Sequence, residues 1–151
     1  MYIRKARMSD LKTVIAISRK NRFEVMRDWK DAISSENSEM FLLVDGKMIR
    51  GFTGLIYHDW NRTIQVMDVF LEPDLRGRGM GIKLIKFLVS RARRQSNRYR
   101  CLIAEAPAIG GIDKFYRKAG FRKCGYNDRY YANGGKNIAI WMSLDLVPAK
   151  R

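Results

Sequence analysis

The chain has 151 residues, 46% of them hydrophobic, which suits one compact domain with a real core, and its 30 basic against 15 acidic side chains give a formal charge of +15. No stretch approaches the roughly eighteen apolar residues of a membrane-spanning helix, and the N-terminal MYIRKARMSDLK turns polar too early for a secretory leader. A single cytoplasmic domain over residues 1–151, with no membrane role, is therefore expected. Two cysteines, Cys101 and Cys124, have neither CxxC spacing nor a histidine pair nearby; no disulfide framework and no metal site are expected, and both read as free, buried or half-buried thiols.

Taken in chain order, Tyr2 to Arg7 alternates like a short edge strand, and Ser9 can cap a helix whose Leu11, Val14, Ile15 and Ser18 share one face. A second helix carries Phe23, Met26, Trp29 and Ile33 and stops at the polar cluster from Ser34 to Glu39. Two strands follow, Phe41 to Val44 and Lys47 to Tyr57, with Asp45 and Gly46 as a tight hairpin turn. His58 to Asn61 makes another turn, where a lone histidine reads as solvated, and Thr63 to Leu71 forms a third strand stopped by Glu72 and Pro73. Beyond a glycine-rich turn, Ile82 to Gln95 is an amphipathic helix with Ile82, Ile85, Leu88, Val89 and Ala92 opposite Lys83, Lys86, Ser90 and Arg93. A strand from Cys101 to Ala106, a helix from Ile112 to Lys118 ended by Gly120, and strands Arg122 to Tyr126 and Ile138 to Leu146 close the chain, the last two joined by the segment Asn133 to Lys136. The sum is an α/β (α+β) fold, a mixed, mostly antiparallel sheet of about 6–7 strands with about 4 helices.

The stretch VFLEPDLRGRGMGIKL, residues 69–84, holds the most chemistry. It lacks the GK followed by Ser or Thr of a P-loop, and Gly77, Gly79 and Gly81 give GxGxG rather than the GxGxxG of a dinucleotide fold. What remains is a strand end, a small-residue turn and a helix start with unpaired amides, a seat for an anion such as a pyrophosphate. Arg76 and Arg78 add positive charge beside it.

Arg76, Gly79 and Gly81 fit the pattern Q/R-x-x-G-x-G/A, and DKFYRKAGF at residues 113–121 fits FYxKxGF; on these two segments the whole chain resembles the GNAT superfamily of N-acetyltransferases. The resemblance implies the GNAT fold, with acetyl coenzyme A as cosubstrate and an amine as acceptor. The cofactor's pyrophosphate would lie on the amides of Arg76, Gly77, Arg78, Gly79, Met80 and Gly81. Its arm would pair with backbone near Val69 and Leu71, in a splay facing the strand from Cys101. An amide of the first strand would stabilise the developing oxyanion. Tyr116 matches the tyrosine that gives a proton to the departing thiolate and adjoins the cofactor. Its phenol, near pKa ~10 in the unperturbed state, is protonated at neutral pH. Glu105 and Asp68 are the carboxylates able to receive the amine's proton, directly or through water. Where many members place an asparagine and an alanine before that tyrosine, this chain has Ile109 and Ile112.

Acceptor identity is less constrained. The positive charge favours an amine on an acidic macromolecule: a protein or peptide N-terminus or lysine, or an RNA-borne amine such as an aminoacyl-tRNA, with possible RNA or ribosome contact. It disfavours a free polycation. A non-catalytic basic module that binds nucleic acid on the same scaffold is the third reading. A monomer or a homodimer fits equally.

Overall fold

In a computed structural model of the protein, the described residues are 1–21, 27–135 and 137–147. Among them the element order is β1 (Tyr2–Lys5), α1 (Leu11–Lys20), α2 (Trp29–Ser34), β2 (Ser38–Asp45), β3 (Met48–His58), β4 (Thr63–Leu71), α3 (Met80–Arg93), β5 (Cys101–Pro107), α4 (Ile112–Lys118), β6 (Arg122–Asn127) and β7 (Ala139–Asp145). The seven strands form one mixed sheet in the order β1-β2-β3-β4-β5-β7-β6. The β1–β2, β2–β3, β5–β7 and β6–β7 pairs are antiparallel, and β4–β5 is parallel. The expected order of elements and the mixed, mostly antiparallel sheet are both found. Among the described residues no helix is long and apolar enough to cross a membrane.

The chain divides into two compact units, residues 1–56 with 67–84, and residues 57–66 with 85–151. In the first, Val14 of α1, Trp29 and Ile33 of α2, Leu42 of β2, Phe52 of β3 and Phe70 of β4 close one apolar cluster. Phe52 stacks on Phe70 at 4.9 Å between centroids and meets the edge of Trp29 at 5.0 Å, contacts worth about 0.5–1.5 kcal/mol each beyond area burial. A second cluster of Leu43, Leu75 and Leu84 takes in Val69, Leu71 and Met80. Met67 and Phe70 enter the same cluster although three residues apart, so strict alternation along β4 is broken between them. In the second unit β5 buries Leu102, Ala104 and Ala106 on one face and leaves Ile103 and Glu105 half-buried on the other.

Several expected boundaries shift for identifiable reasons. Ser9 does not cap α1: residues Met8–Asp10 form a 3-10 turn, and Asp10 reaches back to accept from the Arg7 amide at 2.8 Å. The β2–β3 hairpin turns at residues 46–47, since Asp45 pairs with Met48 and Gly46 takes the positive φ of 58°. β2 begins at Ser38, inside the polar cluster, because the Ser38 hydroxyl donates to the Ala32 carbonyl at 3.0 Å and so can be buried. Phe23 and Met26 of the expected second helix lie outside the described residues, as does Lys136 of the β6–β7 connection. Both cysteines are free; Cys101 is buried as expected, but Cys124 is exposed, because it lies on β6 at the end of the strand order.

Asp10 also accepts two bonds from Arg4, each 2.8 Å, and this pairing holds its carboxyl below the usual carboxylate range. A lowered pKa stabilises the fold above the unfolded value of about 3.9, and that contribution is lost as pH falls through the folded value. In Asp10→Asn, denaturant midpoints at neutral pH should fall by the equivalent of about 1 kcal/mol, a figure kept small by solvent screening, and the difference from the parent should shrink below about pH 4.

Candidate active site

The glycine turn takes the conformation its composition allows. β4 ends at Leu71, Pro73–Leu75 form a 3-10 turn anchored by buried Leu75, and the exposed run from Arg76 to Gly79 leads into α3. Gly77 and Gly79 have φ of 72° and 78°, left-handed values that only glycine adopts without strain. A Cβ on either would meet nothing within 4 Å, so the backbone angle and not crowding demands glycine, and the space over the turn is open. The Gly79 carbonyl accepts from the Lys83 amide at 3.1 Å, which makes Gly79 the cap and leaves the amides of Met80, Gly81 and Ile82 without partners inside the helix. These amides, with Arg76 and Arg78 beside them, fit a phosphate group.

Two arginines brace this turn. Arg50 pairs with Asp74 at 2.5 Å, and that hydrogen bond holds the Asp74 carboxyl below its ordinary value. Arg76 Nε donates to the Leu71 carbonyl at 3.1 Å. Leu71 therefore already uses one acceptor lone pair of its carbonyl within the chain. Val69 and Leu71 direct their side chains into the cluster with Leu75 and Met80, which fixes the strand end against the helix start.

The expected carboxylates have different surroundings. Asp68 pairs with Arg27, from the segment just before α2. Glu105, half-buried in β5, accepts from Gln65 Nε2 at 2.5 Å, and Gln65 Oε1 stands 2.8 Å from His58 Nε2. Gln65 is in β4, opposite Ile103 in the parallel register, which puts it on the half-buried face that also carries Glu105. On the other side of β5, Glu105 is paired with Trp141 of β7, whose ring meets Tyr130 edge-on at 5.3 Å. His58 ends β3 and is part of this row rather than a solvated turn residue. Neither His58 nor Gln65 was readable as a site residue; the one available signal was their placement across the hairpin turn at residues 59–62.

Tyr116 lies on α4 and is 6% exposed, with Phe115 and Phe121 packed edge-on at 5.2 and 5.3 Å. Asp113 on the same helix pairs with Lys123 at 2.8 Å, and this bond lowers its carboxyl pKa. Ile109 and Ile112, in place of the more usual asparagine and alanine, are 66% and 41% exposed, and between them Gly110 and Gly111 take positive φ. Among the described residues no group of three His, Cys, Asp or Glu side chains could hold a metal ion.

Comparison with known proteins identifies the family and the fold. Residues 36–123 match the model of the acetyltransferase (GNAT) domain. Streptothricin acetyltransferase of Streptomyces lavendulae is 31% identical over 127 residues, covering 78% of this chain; the chain spans 64% of that relative's length. The crystal structure of nourseothricin acetyltransferase superposes with a TM-score of 0.64 at 27% identity, over 74% of this chain and 67% of that one. The ribosomal-protein-S18-alanine N-acetyltransferase of Escherichia coli gives a TM-score of 0.81 over 99% of this chain and 96% of the other, but at 19% identity, a likeness of fold alone.

Proposed function

The chain belongs to the GNAT acetyltransferase family, and from that premise we propose that it transfers the acetyl group of acetyl-CoA to an amine. The observation that carries this reading is the open glycine turn at residues 76–81 at the start of a 14-residue helix. Acetyl-CoA supplies an acyl group activated as a thioester. The amides of Met80 and Gly81, with Arg76 and Arg78, hold its pyrophosphate, and the backbone at Val69 and Leu71 orients its arm. Glu105 takes the proton that an acceptor ammonium sheds to become a nucleophilic amine and releases it to solvent. Tyr116 gives its proton to the departing sulfur and is reprotonated, through water, by the second proton that nitrogen loses as the amide forms, so one proton leaves per acetyl group transferred. Asp68, already paired with Arg27, takes second place to Glu105 as base. Residues 1–151 work in this reading as one cytoplasmic acetyltransferase domain.

A small amine-bearing molecule of the streptothricin type is the acceptor best supported, by the likeness to two acetyltransferases named for such compounds. Glu105 stands opposite Trp141 in the β5–β7 register, a carboxylate and an indole on neighbouring strands, and an ammonium is attracted to both kinds of group. A protein or peptide amine is the second reading, favoured by the formal charge of +15. The two separate in a competition assay. With streptothricin and an acidic lysine-containing peptide at equal concentration, mass spectrometry should find acetyl groups accumulating first on streptothricin. Preferential acetylation of the peptide, weakened by added salt, selects the second reading.

A further inference from the structure

The structure assigns His58 and Gln65 to a positioning role: together they hold Glu105 in a fixed orientation for proton acceptance. This rests on the reading of Glu105 as the group that takes the acceptor's proton. The argument begins with polarity. An ionised carboxylate only accepts hydrogen bonds, so Gln65 must present its NH₂ group to Glu105, across 2.5 Å. The amide carbonyl then faces His58 Nε2 at 2.8 Å and needs a donor there. His58 must therefore carry a proton on Nε2, as it does in one neutral tautomer and in the imidazolium. The reverse amide orientation would set a carbonyl oxygen against a carboxylate oxygen. One direction of donation, from His58 through Gln65 to Glu105, satisfies all three groups, and it survives protonation of the ring.

The row is anchored at its far end. His58 is followed by a turn fixed to the segment after α3: Asp59 accepts from the Tyr99 hydroxyl at 2.5 Å and from Arg98 at 2.9 Å. Arg62 donates to the carbonyls of Arg98 at 2.7 Å and Asn97 at 3.3 Å, and Arg100 donates to that of Asn61 at 3.0 Å. The Tyr57 and Tyr99 rings pack at 5.1 Å on the residue before His58. Six polar and aromatic contacts thus fix the backbone that carries the histidine, while the histidine fixes the amide and the amide fixes the carboxylate. A carboxylate held to one rotamer keeps its proton-accepting geometry without reorganising at each turnover.

His58 is the single histidine of the chain, so its ring nitrogens can be read by long-range ¹⁵N NMR without assignment and without any assay of activity. The neutral ring is expected as the Nε2–H tautomer; an Nδ1–H ring in the unmodified protein overturns the proposal. In turnover, Gln65→Leu and His58→Phe should each lower kcat about tenfold to a hundredfold with KM for acetyl-CoA little changed. His58→Gln, which restores an N–H donor, should recover most of that loss. Added to Glu105→Gln, the Gln65→Leu change should cost nothing further, because both act through one carboxylate. Full kcat in Gln65→Leu, or full additivity with Glu105→Gln, overturns the positioning role. Unchanged kcat in Glu105→Gln alone instead removes the reading of Glu105 as base, and the tautomer then decides whether the row exists as drawn.

Discussion

In Gly79→Val, acetyl-CoA affinity is expected to fall about a hundredfold or more while the protein still folds. At φ 78° a β-branched residue is strained by roughly 1–2 kcal/mol, so the turn relaxes toward another conformation and the amides at the start of α3 swing out of line. Losing two hydrogen bonds to a charged ligand, at about 1.5–3 kcal/mol each, accounts for a change of that size. Nothing lies within 4 Å of the added Cβ, so packing is undisturbed and melting should drop by only a few degrees. Arg78→Ala is the control for charge without geometry. That side chain is exposed, and its removal should weaken binding several-fold at most, less so in high salt. Equal affinities for Gly79→Val and the parent in titration calorimetry would mean that the turn is not the cofactor's seat.

Tyr116→Phe should lower kcat by about a hundredfold to ten-thousandfold, the range of a lost general acid, with acetyl-CoA affinity close to that of the parent. The substitution removes one oxygen and keeps the ring, so the edge-on contacts to Phe115 and Phe121 persist. Single-turnover kinetics separate the two possibilities cleanly. If the chemical step is as fast in Tyr116→Phe as in the parent, the tyrosine serves as a packing residue and the sulfur takes its proton from water.

Much of this architecture was legible in the sequence because the elements are sharply punctuated. β4 and α4 have the bounds expected from composition, Thr63–Leu71 and Ile112–Lys118, each set between turn-forming residues. The start of α3 was harder to read. Gly79 and Gly81 look alike in the sequence, yet Gly79 caps the helix and Gly81 lies within its first turn, a distinction made by one carbonyl-to-amide bond rather than by residue type. The polar run ending at Glu39 looked like a loop, but Ser38 and Glu39 are buried in β2 because nearby groups satisfy them, the Ala32 carbonyl for Ser38 and the Lys5 ammonium, 3.5 Å away, for Glu39. The glycine turn and Tyr116 were visible as contiguous motifs. The row from His58 to Glu105 was not, since it joins residues 7 and 40 positions apart through side chains. Long-range polar contacts leave no periodicity for a sequence to display.

Calorimetry of the unmodified protein with acetyl-CoA tests the central assignment most directly. A ligand held by the folded state must raise its stability, by about 2.7 kcal/mol at a hundredfold excess over Kd. Saturable binding and a matching upward shift of the melting temperature, both much reduced in Gly79→Val, are the results expected of an acetyltransferase whose cofactor rests on the turn at residues 76–81. No heat and no shift at millimolar acetyl-CoA, with salt-sensitive binding of nucleic acid in its place, would contradict it and leave a basic binding module on the same fold.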